Sequence, residues 1–91
     1  MKLAVEMAVM EMDGEWSAVA VGEDSSRFHG MLKLNETAAE IIKLLTEETT
    51  HEAVLKAMTK KYPDTPVADI RNAVADLLNQ LLREGLLIDN D

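Results

Sequence analysis

The chemistry-bearing residues of this 91-residue chain are few and scattered. His29 and His51 are its two imidazoles, one on an expected strand and one at a helix start, with no metal-ligand spacing between them. They suit surface positions better than a metal centre. Glu47-Glu48 and Asp89 with Asp91 are acidic pairs in a loop and a tail. Acid–base work needs burial or a fixed partner to tune a carboxyl, and nothing in the pattern supplies either. Ser25-Ser26 sits in a turn with no base nearby. The chain has no cysteine, which removes thiol nucleophiles, disulfides and thiolate-bound zinc. Its four glycines form no phosphate loop. The expectation is a protein without catalysis, metal or cofactor, in which the working groups are those of a binding surface.

Two segments could form such a surface. The first spans 27–34, where Phe28, Leu32 and Leu34 alternate with Arg27, His29, Met31 and Lys33 about Gly30. It contains no acidic residue in an otherwise acidic chain. As the last strand of a meander it would have a free edge able to pair with an extended peptide. Charge protection of that edge by Lys33 is the plain alternative. The second segment is the last long helix. Ile70, Ala73, Val74, Leu77 and Leu81 make one stripe, and Leu78 and Leu82 widen it toward Arg71 and Ala75. Asp69, Asn72, Asp76, Asn79 and Gln80 take the remaining side. Either two neighbouring elements cover the wide arc, or Leu78 and Leu82 floor a groove beside the edge strand.

The elements that would position these segments are legible. Apolar residues from Leu3 to Met12, the Asp13-Gly14 turn and Trp16 to Val21 predict a hairpin, and 22–26 is a turn by composition. Asn35 caps a helix bearing Ala38, Ile41, Ile42 and Leu45. Thr49 and Glu52 have capping-box spacing for a second helix, which carries Val54, Leu55, Met58 and Tyr62 and stops at Pro63. Thr65 and Pro66 open a third, which runs to about Glu84 before Gly85, and Leu86-Leu87-Ile88 is a short apolar tail. The order β-β-β-α-α-α, with strands over about 3–34 and helices over about 36–84, makes residues 1–91 one α+β domain. By analogy it is winged-helix-like, a three-stranded antiparallel sheet followed by a three-helix bundle.

Composition narrows the partners. Nine basic against 17 acidic side chains give a net charge of −8, which opposes nucleic acid and anionic membranes. Winged-helix DNA binding is therefore disfavoured. No apolar run is long enough to span a bilayer, and the N-terminal segment, broken by Glu6 and Glu11, does not read as a secretory signal. A cytoplasmic protein is expected. Of the six methionines, the preferred assignment is ordinary core and start methionine rather than an adaptable binding surface.

Residues 17–45 resemble the PqqD family. The marks are a strand ending at Leu34 followed by Asn35-Glu36-Thr37-Ala38-Ala39-Glu40-Ile41, with Phe28-x-Gly30-Met31 before it. Tyr62-Pro63 and Leu77-Leu78-x-x-Leu81-x-x-x-Gly85-Leu86-Leu87 extend the likeness over nearly the whole chain. The resemblance implies a recognition element of ribosomal peptide modification, a RiPP recognition element. Such a domain takes the leader of a precursor peptide as an added strand and holds it for a modifying enzyme, often a radical SAM protein, in pyrroloquinoline quinone biosynthesis or another peptide pathway. By position, the resemblance assigns strand contacts to Arg27, Phe28, His29, Gly30, Met31, Leu32 and Lys33. It assigns helix contacts to Arg71, Val74, Ala75, Leu78 and Leu82. Asn35, Glu36 and Thr37 are expected to be structural. The alternative is a structural module that forms a homodimer through the third helix.

Overall fold

The computed structural model describes residues 1–26 and 30–89. Its strands and helices follow in the order β1 (Lys2–Leu3), β2 (Met7–Met12), β3 (Glu15–Ala20), β4 (Met31–Leu34), α1 (Glu36–Leu44), α2 (His51–Lys61), α3 (Val67–Arg83) and β5 (Leu87–Ile88). The Asp13-Gly14 turn has φ of 54° and 82°. Two consecutive positive values are those of a two-residue hairpin turn whose twist matches the flanking strands. It sets the register Met12 with Glu15 and Met7 with Ala20. β4 then pairs antiparallel with β3, from Trp16 with Leu34 to Val19 with Met31. The result is the expected three-stranded antiparallel sheet, in the order β2-β3-β4, followed by three helices.

Four expectations about boundaries need correction. The N-terminal segment is not one strand. Ala4 N–H donates to Leu86 O, whereas Val21 N–H donates to Glu6 O, so the chain leaves one sheet for another between these points. β1 instead pairs with β5, and the apolar tail thus becomes half of a separate two-stranded sheet. The turn over 22–26 is a short 3₁₀ helix, Gly22–Ser26. The cap of α2 is Thr50, whose side chain accepts from Ala53 N–H at 3.0 Å; Thr49 spends its own N–H on Met1 O, and the capping box does not form. Pro66, not Thr65, is the cap of α3, in extended geometry and without a side-chain hydrogen bond.

The core lies between the inner face of the large sheet and the helices. Ala18 and Leu32 supply the sheet side, while Ile41, Ile42, Leu45, Val54, Met58, Val74 and Leu81 supply the helices. α3 packs against α1, α2 and β5. Its C-terminus closes with Leu86 N–H donating to Leu81 O at 2.8 Å and Gly85 N–H to Leu82 O at 3.1 Å, the paired bonds of a Schellman ending with a left-handed glycine. Between α1 and α2, Lys61 Nζ stands 2.7 Å from Glu40 Oε2. That contact holds the Glu40 carboxyl below the usual carboxylate range, against the opposing effect of burial and with lesser help from Lys43.

Candidate functional site

β4 is the outer strand on one side of the sheet, and among the described residues it pairs with β3 alone. The N–H and C=O groups on its far side therefore face outward, where an extended chain could join the ladder. Side chains alternate as the pattern predicts. Leu32 is buried and Leu34 half-buried on the inner face, while Met31 and Lys33 are exposed on the outer one. Of the expected 27–34, the described strand covers Met31–Leu34. Gly30 lies just before it without strand pairing, and Arg27, Phe28 and His29 fall outside the described residues.

A groove of about 430 Å³ opens beside β4. One wall is Lys33, Leu34, Asn35 and Ala38; the other is the stripe Asp69, Asn72, Ala73, Asp76, Leu77 and Gln80 of α3. These positions recur at helical spacing, so one face of α3 looks across at the strand. That face is mixed: Asp69, Asn72, Asp76 and Gln80, two of them carboxylates, stand beside Ala73 and Leu77. Its polar residues come from the side left over by the expected apolar stripe, and Ala73 and Leu77 come from the stripe itself.

The helix residues expected in this groove lie elsewhere. Arg71, Ala75, Leu78 and Leu82 each follow a groove residue by two positions, which turns them about 200° round the helix. Val74 is fully buried, and Leu78 is 9% exposed within the core, whereas Leu82 is 46% exposed on the flank with Asn79 and Arg83. The physical reason is that α3 is packed on by more than one element. With α1, α2 and β5 packed on α3, the wide apolar arc is used inside the chain, and its polar remainder faces β4. Asn35 stands at the junction, its Oδ1 accepting from Ala38 N–H at 2.7 Å. The sequence signal for the groove was present as the i, i+3, i+7, i+11 spacing of Asp69, Asn72, Asp76 and Gln80, but polarity alone does not say which polar face a neighbouring strand approaches.

A second concavity, about 660 Å³, adjoins the first and shares Lys33, Leu34 and Asn35 with it. Met10, Met12, Trp16 and Met31 are among its lining. Met10, Met12 and Met31 are 44, 74 and 58% exposed. This corrects the assignment of Met10 and Met12 to the core, which holds for Met1 and Met58, whereas Met31 lies on the outward side that the strand pattern gave it. The register puts all three on the outer face, because Met10 aligns with Ser17, Met12 with Glu15 and Met31 with Val19. Among the described residues no group of three His, Cys, Asp or Glu side chains is arranged to hold a metal ion. Among the described residues no helix is long and apolar enough to cross a membrane.

A small α+β domain with an open strand edge facing a groove along its last helix is the class this geometry defines. The chain belongs to the PqqD family: the family model for coenzyme PQQ synthesis protein D (PqqD) matches residues 6–87. No curated protein matches it. Among solved structures it is similar to TbiB1 in complex with the TbiA(beta) leader peptide, with a TM-score of 0.69, 18% identity and 100% of both chains covered. At that identity the likeness is one of fold.

Proposed function

We propose that this domain is a non-catalytic peptide chaperone. It takes the leader of a ribosomally made precursor peptide as a fourth strand on β4 and presents the attached core peptide to a modifying enzyme, of which a radical SAM protein is the favoured kind. The observation that carries the reading is the outer position of β4 beside an open groove walled by α3. Membership of the PqqD family and the fold shared with TbiB1, itself solved with a leader peptide, support it.

Mechanistically, backbone pairing supplies affinity that tolerates many sequences, and the flanking side chains select. Residues of the added strand opposite Leu32 and Leu34 point toward the groove. There they meet Asp69, Asn72, Asp76 and Gln80, a wall suited to polar or basic side chains. Ordering the leader raises the effective concentration of the core peptide near the enzyme, and no bond is made or broken on the chaperone. Contacts come from Met31, Leu32, Lys33 and the groove stripe, with Gly30 giving the entering chain close access to the strand.

The test is calorimetric titration with a synthetic leader of the precursor encoded beside this gene, followed by backbone amide shifts. Saturable binding with shifts concentrated on β4 and on the Asp69 to Gln80 stripe is expected. A folded protein that fails to bind this leader, or binds it with shifts confined elsewhere, would overturn the reading.

A further inference from the structure

The outer face of the sheet is unusual for a solvent-facing one. Its cross-strand rows are Ala8–Val19–Met31 and Met10–Ser17–Lys33, with Met12 beside Glu15. Solvated sheet faces normally alternate to polar residues, yet here three exposed methionines share the face and line one concavity. We propose that this methionine-lined concavity is a second seat for the same peptide, taking the apolar side chains that an added strand turns outward. The peptide recognised is then two-sided, polar toward α3 and apolar toward Met31.

This inference rests on strand addition to β4, and the geometry of strands carries it from there. Successive side chains of a strand point to opposite faces. Residues of the incoming strand opposite Met31 and Lys33 must therefore lie on the outer face, with Cβ atoms about 5 Å from their partners. Met10 and Met12, on β2, lie about 14 Å from that strand at the spacing of neighbouring strands, so they meet only long side chains laid across β4 and β3. The groove and the outer concavity also join through Lys33, Leu34 and Asn35, so a peptide in the groove borders the seat without crossing other structure. Its volume of about 660 Å³ falls within the roughly 300–1,000 Å³ usual for sites that enclose ligand groups. Flexible, polarizable methionine packs against side chains of varied shape, which suits a site whose main affinity comes from backbone pairing.

A second copy of the chain is a poorer occupant. Two chains of charge −8 repel, and three partly exposed methionines with the small residues between them fall short of the ~800 Å² per partner of a standard stable interface.

The experiment uses the full chain with ¹³C-labelled methionine methyls and the same synthetic leader. On saturation the methyls of Met10, Met12 and Met31 should shift with the β4 amides, while buried Met58 serves as the reference. The double substitution Met10→Gln, Met12→Gln alters exposed positions outside the contacts of the added strand and should leave the melting temperature unchanged. It should weaken the leader roughly tenfold, and leucine at the same positions should restore binding. Shifted β4 amides with unmoved methyls, or wild-type affinity in the glutamine variant, would sink the second seat and leave strand addition standing. A glutamine variant that loses self-association while keeping leader affinity would also overturn it, in favour of the second copy. Absence of leader binding by the unsubstituted protein would instead remove the strand-addition reading, and this inference with it.

Discussion

Asp76 and Leu78 lie two residues apart on α3 and serve opposite surfaces: Asp76 lines the groove beside β4, and Leu78 is buried in the core. Substitutions at the two should therefore separate binding from folding. Asp76→Arg places a long side chain in the groove and should weaken the leader at least tenfold, with stability changed by no more than about 0.5 kcal/mol. Leu78→Ala should cost about 2–3 kcal/mol in chemical denaturation through the cavity it leaves, and the fraction still folded should bind the leader normally. Leu82→Glu should alter neither. Weak binding in the Leu82 variant together with normal binding in the Asp76 variant would return the binding face to the apolar side of the helix.

This pair also marks where sequence reading stops. Periodicity located α1, α2 and α3, because each carries enough apolar residues at helical spacing to declare its buried face. Asp13-Gly14 declared the hairpin, because few residue pairs accept two positive φ values. The pairing of Lys2–Leu3 with Leu87–Ile88 was not legible. Two-residue strands carry no period, and their partner is at the other end of the chain. That missed neighbour is one of several on α3. Read alone, the apolar width of α3 looks like a surplus available to a ligand; with α1, α2 and β5 packed on the helix, Leu78 is core and the groove side carries Asp69, Asn72, Asp76 and Gln80. Met10 and Met12 were missed for a related reason, since strand alternation defines two faces but not which is covered; Met31 was legible because Phe28, Leu32 and Leu34 mark the opposite side of its strand.

Asn35 is predicted to contribute to stability rather than to recognition. Its side-chain oxygen already accepts from Ala38 N–H at 2.7 Å. Asn35→Ala should lower stability by about 1 kcal/mol, and Asn35→Ser should recover most of it. Leader affinity measured where each variant is fully folded should match that of the native protein. Loss of affinity at full folding would make Asn35 a contact residue, consistent with its place between the two concavities.

Gly85 tests the Schellman ending separately from packing. Its φ is +71°, and a Cβ built there meets nothing within 4 Å. Gly85→Ala should therefore cost only the conformational strain, about 1–2 kcal/mol, read as a lower denaturation midpoint with unchanged slope. Gly85→Asn should cost less, because asparagine tolerates this region. A neutral alanine variant would mean that the turn relaxes and that the Leu86–Leu81 bond does not hold β5 in place.

The Glu40–Lys61 contact predicts how stability depends on pH. Glu40 titrates lower in the folded chain than in the unfolded one, chiefly because of Lys61. Its contribution is complete above the unfolded pKa and is lost as pH falls through the folded value. The same contact raises Lys61, whose contribution is present below its unfolded pKa and lost as alkaline pH passes the folded value. Glu40→Gln should be slightly less stable than the native protein at neutral pH, the effect being small because Lys61 is exposed. The difference should shrink to nothing as pH falls through the carboxylate range, as followed by denaturant titration at a series of pH values. A constant difference across that range would show that Glu40 acts through packing between α1 and α2 and not through its charge.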